Sequence, residues 1–500
     1  MNTFQFKSTR GDPQRVDAPQ AIFQGLAPDG GLFVPETFPQ LGLDLGRLHE
    51  ISYPDLARHT LKSWLPGYPA EVLDRVVARG YCSGIFDAPE FVPIQSFGNR
   101  HFIELFHGPT LAFKDLALSL LPHLLVEARD LLGISKEVVI LTATSGDTGS
   151  AALTGFADLP STRIIVFYPD RGISPVQKKQ MTCQPGENLF VCAVDGNFDQ
   201  AQTVVKNLFS DPEISRVLAE NNSTFSTANS MNIGRLVPQM VYYFHAYGQL
   251  VQRQAIQPGD AINVVVPSGN FGNILAAWYA KQAGLPIRKF IVASNPNHVL
   301  TDFFKTGIYE ANRDFYRTHS PSMDILVSSN LERLLYHLSG NDDALIAGLM
   351  HDLKMDRRYE VPPALKTALQ TDFYAAFADD TTCQNEIKKQ YEASGYLLDP
   401  HTAVAANVLT RYQEETGDTT PALIAATASP YKFPATVLSA FFSDDDQVSD
   451  FDRIRILAAR TNQTIPVRIQ NLETQAPLHT DHCTPATAAN YTRAAITAVK

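Results

Sequence analysis

From about residue 100 the chain alternates short runs of β-branched residues with longer helical patterns, and this alternation restricts its fold more than any other feature. Val138 to Leu141, Ile164 to Phe167, Phe190 to Val194, Ile262 to Val266 and Phe290 to Ala293 read as strands. Several lack polar alternation, as strands covered on both faces do. Between them the sequence predicts helices over Asp115 to Leu132, Thr148 to Ala157, Pro175 to Met181, Asp199 to Leu208, Pro238 to Leu250 and Phe271 to Ala283. Such an order implies an α/β fold of parallel sheets with helices on both faces. Ligands are then expected at loops beyond the carboxyl ends of strands.

The 500 residues exceed one core, and the length suggests roughly three domains or subdomains. Residues 1–95 read as a small α-rich N-terminal domain, with helices over Gln14 to Leu26, Ser52 to Ser63 and Pro69 to Val77. Residues 96–340 form the expected α/β core, 341–420 a helical insert, and 421–500 the completion of the core plus a tail, with a last strand over Ala422 to Thr427. Ser329-Asn330-Leu331-Glu332 has the form of a capping box, in which serine and glutamate satisfy helix-start N–H groups. Asp444 to Asp446 read as a solvated acidic loop. The net charge of −11 opposes a nucleic-acid partner, which needs a basic face. No apolar run approaches the roughly 20 residues of a membrane helix, and Met1 to Arg10 carries no apolar signal core. The five scattered cysteines show no metal-ligand spacing, so the expectation is no metal and a reducing cytoplasm.

Four stretches carry chemistry. In His107-Gly108-Pro109-Thr110-Leu111-Ala112-Phe113-Lys114-Asp115 a lysine follows apolar residues. Burial disfavours the ammonium, and a neutral amine forms a Schiff base with an aldehyde such as that of pyridoxal phosphate (PLP). An ordinary helix-start lysine with its head in water fits the same nine residues. Thr144-Ser145-Gly146-Asp147-Thr148-Gly149 follows a strand and opens a helix; its free N–H groups suit an anion, and an ordinary N-cap is the alternative. Gly269-Asn270-Phe271-Gly272-Asn273 follows the strand ending at Val266. It lacks the third glycine and the ribose-binding acid of a dinucleotide site, so it reads as a lone phosphate cradle. Asn229 to Arg235 combines amides with an arginine, whose planar fork binds phosphate or carboxylate and equally serves surface ion pairs. After the last strand, Thr427 offers a hydroxyl that could meet a heteroaromatic nitrogen.

Taken together, in order and over most of the chain, these stretches resemble the threonine synthase family of PLP-dependent, fold type II enzymes, relatives of the tryptophan synthase β chain. Ser8-Thr9-Arg10-Gly11 and Gly25 to Pro35 resemble the family's N-terminal signature, and Val194 to Asp199 and Ser328 to Leu335 match as well. The N-terminal region and the stretch after about 340 resemble the longer microbial and fungal form. The resemblance implies that Lys114 carries PLP as a Schiff base, that Gly269, Asn270, Phe271, Gly272 and Asn273 hold its phosphate, and that Thr427 meets its ring nitrogen. It implies that Ser145, Gly146, Asp147 and Thr148 take the substrate carboxylate and that Asn229 and Arg235 take the phosphate of O-phospho-L-homoserine. The wider fold-type family has asparagine where this chain has Asp147, which leaves the partner of the ring hydroxyl open. The implied reaction is γ-elimination of phosphate followed by addition of water at the β-carbon, with Lys114 moving the α- and β-protons and L-threonine as product. A monomer or homodimer is expected. Alternatives are a threonine or serine dehydratase, whose substrate needs no second anion site, and a non-catalytic PLP- or phosphate-binding relative, which would not need Lys114.

Overall fold

The computed structural model describes residues 4–171, 173–442 and 448–498. The expected acidic loop Asp444 to Asp446 lies outside the described residues. Two main sheets are built from β1 (Ile94–Phe97), β2 (Arg100–Glu104), β3 (Glu137–Ala143), β4 (Thr162–Pro169), β5 (Leu189–Val194), β6 (Ser223–Ser226), β7 (Ile262–Pro267), β8 (Ile287–Ser294), β9 (Phe373–Phe377), β10 (Ala422–Ala426) and β11 (Asp481–Cys483). One sheet has six strands in the order β9–β8–β7–β10–β2–β1, and the other five in the order β11–β5–β4–β3–β6. The five-stranded sheet is parallel throughout. In the six-stranded sheet β1 pairs antiparallel to β2 and the other pairings are parallel. Every residue of β4, β7 and β10 is buried, which is why these strands show no polar alternation. Each large apolar side chain so buried contributes roughly 1.5–3 kcal/mol.

The α/β architecture of parallel sheets with helices matches the sequence expectation. Phe6, Leu56 and Trp64 share one hydrophobic cluster with Val241, Trp278 and Leu334. The N-terminal region therefore packs continuously onto the α/β core, and β1 belongs to the large sheet. The stretch 341–420 is mostly helical and also supplies edge strand β9; its helix Pro400–Thr416 packs on β7, β8 and β10. The tail supplies β11, which pairs with β5.

Three local expectations change for physical reasons. The helix expected over Gln14 to Leu26 spans only Ala18–Gln24, because Val16 is hydrogen-bonded to Phe6 and Asp17 caps the helix. The Ser329–Glu332 capping box does not form: the helix Leu331–Leu338 has no side-chain cap, and Glu332 accepts from Thr9 and Arg10 instead. The helix expected over Asp115 to Leu132 breaks into Lys114–Leu118 and Leu121–Leu131, since Pro122 lacks the N–H to continue a helix.

That break presses the Leu118 carbonyl against Gly155 on the helix Asp147–Phe156. A Cβ built at Gly155 would lie 2.3 Å from that oxygen. Gly155→Ala is thus expected to cost about 1–3 kcal/mol through overpacking, read as a lowered thermal midpoint. An unchanged midpoint would show that the two helices can separate freely.

Candidate active site

Because β2, β7 and β10 run parallel as neighbours, the loops after them meet at one sheet edge. Of the six strands in this sheet β10 comes last in sequence, yet it lies between β7 and β2, a reversal of strand order of the kind at which open sheets bind ligands. The loop after β2 is zipped to the segment after β10: Phe113 N–H donates to the Thr427 carbonyl at 2.9 Å, and Ser429 N–H to that of Leu111 at 3.0 Å. Asp115 fixes the same loop by accepting from Thr110 N–H and hydroxyl at 2.8 and 2.7 Å. Lys114 then begins its helix with the side chain 12% exposed. Its Nζ lies 3.3 Å from Asp147 Oδ2 and 4.7 Å from the centre of the Phe113 ring. Burial lowers the pKa of this ammonium; Arg235 and Lys432 push the same way and Asp147 opposes them. The apolar context of Lys114 thus has the expected electrostatic consequence.

Ser145, Gly146, Asp147 and Thr148 form the N-terminus of the helix Asp147–Phe156, facing Lys114 from the other sheet. The turn is shaped by Thr144, whose hydroxyl oxygen accepts from Gly146 and Gly149 N–H at 2.9 and 2.8 Å. Gly146 sits at φ +130 against the Gln177 side chain, where a Cβ would clash at 2.6 Å. Asp147 is buried and held as a carboxylate: burial pushes its pKa up, but Lys432, Lys114 and Gln177 outweigh it and bring it well below the ordinary range.

The loop from Gly269 to Asn273 enters the helix Gly272–Gln282 through Phe271 at φ +63. The segment 328–330 braces it, Ser328 donating to the Gly269 carbonyl at 2.7 Å and Asn330 Nδ2 to that of Asn270 at 2.9 Å. Asn273 Oδ1 accepts from the Tyr243 hydroxyl, while Asn273 Nδ2 is buried with no partner. Arg235 lies on the short helix Ile233–Leu236, which packs against the helix Gly272–Gln282, and is 3% exposed. Its Nη1 donates to the Ala228 carbonyl at 3.0 Å, and its Nε is buried without a partner. Burial lowers its pKa to about 10, and no carboxylate contributes. Asn229, in the same segment, accepts from the Thr142 hydroxyl at 3.4 Å. Thr427 is 6% exposed, and its N–H donates to Thr402 Oγ1 at 3.3 Å.

The residues singled out from the sequence therefore converge from both sheets. Sequence reasoning missed Lys432, Gln177 and Ser322, and gave Thr144, Ser328 and Asn330 no bracing role although they lie in stretches it singled out. Only Lys432 carried a usable signal, since it too sits among apolar residues, between Tyr431 and Phe433.

His107, in the Lys114 loop, bridges two acids, with Nδ1 2.7 Å from Asp87 and Nε2 3.0 Å from Glu104. Burial lowers its pKa, but the two carboxylates prevail and raise it to about 9 from 6.5. A raised folded-state pKa stabilises the native protein fully below pH 6.5 and ceases to do so as pH climbs through about 9. Relative to His107→Gln, the unaltered protein should lose thermal stability between pH 7 and pH 10. Parallel stability curves would show that the bridge is not charged.

Comparison with known proteins gives first a class. A family model described as "Pyridoxal-phosphate dependent enzyme" matches residues 98–427. Models for the threonine synthase N terminus and C-terminal region match 5–81 and 402–476. The threonine synthase of Eremothecium gossypii is 37% identical over 486 residues, covering 90% of this chain and 93% of that protein. Human threonine synthase-like 1 is 42% identical over 433 residues, or 84% of this chain; the chain spans 57% of that protein's length. The PLP-bound threonine synthase of Brucella melitensis superposes with a TM-score of 0.86 at 34% identity, covering 99% of this chain and 100% of that one. Yeast threonine synthase gives 0.85 at 33%, covering 98% of each chain. The chain belongs to the threonine synthase family.

The residues present fit PLP: a desolvated amine for its aldehyde, a helix start with an orphaned amide donor for its phosphate, and the buried Thr427 after β10 for its ring nitrogen.

Proposed function

We propose that this chain converts O-phospho-L-homoserine and water to L-threonine and phosphate with PLP held on Lys114. The observation that carries the reading is Arg235, a buried guanidinium with an unpartnered Nε and no acid beside it, close enough to depress the Lys114 pKa. An isolated buried charge is costly, and a substrate phosphate would complete it. A substrate without phosphate leaves it unexplained. Asn229 would share that phosphate, and Ser145, Gly146, Asp147 and Thr148 would receive the substrate carboxylate. Gly269, Asn270, Phe271, Gly272 and Asn273 would hold the cofactor phosphate at a helix start, where the dipole favours an anion. Thr427 would meet the ring nitrogen.

PLP supplies an electron sink for the α-carbanion when bound. Lys114 would take the α-proton and move the β-proton. Its depressed pKa keeps the amine available for both transfers. No described helix is long and apolar enough to cross a membrane, and the cysteines are free thiols. Both accord with the cytoplasmic location we assign.

The test is phosphate release from O-phospho-L-homoserine alongside 2-oxo acid formation from L-threonine and L-serine. Phosphate release with accumulating threonine is expected. Oxo-acid formation without phosphate release would make the chain a dehydratase.

A further inference from the structure

Asp147 is an unexpected residue in a loop assigned to a carboxylate. It is the first residue of the helix whose N–H groups would serve the anion, and a second carboxylate there meets like charge. The structure supplies a compensation that the sequence motif does not contain. Lys432, from the segment after β10, is fully buried, with Nζ 2.7 Å from Asp147 Oδ1. The same Nζ donates to the Thr110 carbonyl at 2.7 Å, in the Lys114 loop. Gln177 Nε2 reaches Oδ1 at 2.9 Å. Ser322 hydroxyl and Lys114 Nζ reach Oδ2 at 3.1 and 3.3 Å. Of the two cations on Asp147, Lys114 is the one that must give up its charge to act as nucleophile and base. Lys432 has no such task.

We propose that Lys432 is a positioning residue for the substrate carboxylate: it neutralises Asp147 from behind, so that the 145–148 loop accepts an anion while Lys114 works uncharged. The inference rests on the reading of that loop as the carboxylate site. It predicts a particular coupling. Lys432→Met leaves Asp147 with less positive charge and should raise the KM for O-phospho-L-homoserine at least tenfold, with a smaller change in kcat. Adding Asp147→Asn removes the repelling charge and should recover at least fivefold of that loss.

The experiment is the double-mutant cycle on the PLP-loaded protein, with KM and kcat measured separately. L-Threonine binding, followed by the cofactor's absorbance, should show the same order: weak in Lys432→Met and restored in the double variant. Thermal unfolding of each variant reports folding independently. Penalties that add in the double variant, or a loss confined to kcat, would overturn the proposal. If Lys432→Met does not fold, the double variant decides alone: a KM more than fivefold above that of the unaltered protein overturns the proposal, and one within fivefold supports it. Absence of phosphate release by the unaltered protein would instead sink the proposed function, so the two failures are separable.

Discussion

Lys114→Ala is expected to lose phosphate release from O-phospho-L-homoserine by at least about 10³-fold, because one amine serves as cofactor anchor and proton carrier. The fold should survive. The side chain is an ammonium in a desolvating pocket, and removing it costs its interaction with Asp147 at 3.3 Å and its contact with the Phe113 ring. Asp147 keeps Lys432, Gln177 and Ser322. The visible absorbance of the covalently held cofactor should disappear in the same variant while PLP still binds reversibly through the 269–273 loop. An unchanged spectrum would mean that Lys114 does not carry the cofactor.

Arg235→Met should separate function from stability. Hydrogen bonds to a charged group contribute about 1.5–3 kcal/mol each, so losing two from a planar fork costs about 10²-fold or more in kcat/KM for the phosphorylated substrate. PLP affinity should change little. The thermal midpoint of the substrate-free protein should rise, since the variant removes a buried charge that no acid compensates. Arg333 is the control. It is equally buried and lacks a carboxylate partner within hydrogen-bonding range, but it donates to the Phe33 carbonyl at 3.0 Å, Asn330 Oδ1 at 2.5 Å and the Met231 carbonyl at 2.6 Å. Arg333→Met should therefore destabilise the protein, because it strands those acceptors. Equal destabilisation by the two substitutions would assign Arg235 a structural role.

These residues show what was legible in the sequence. The runs at 138–141, 164–167, 190–194, 262–266 and 290–293 were readable as strands because burial on both faces leaves no polar positions. β9 and β11 were not: Phe373–Phe377 and Asp481–Cys483 are short edge strands, whose pairing depends on neighbours distant in the chain. The anion loop and the phosphate cradle were visible because glycine and small polar residues have few other uses after a strand. Glu332 was misread as a capping residue because its partners, Thr9 and Arg10, lie far back in the chain. The apolar neighbours of Lys432 hint at burial, but its role was not readable for the same reason: it comes from Asp147 and Thr110, each more than 250 residues earlier.

Turnover of O-phospho-L-homoserine in ¹⁸O-water tests the central claim most directly. Elimination followed by water addition places the label in the hydroxyl of L-threonine and leaves the released phosphate unlabelled. Labelled phosphate with homoserine as product would mean simple hydrolysis of the ester, and would contradict the account.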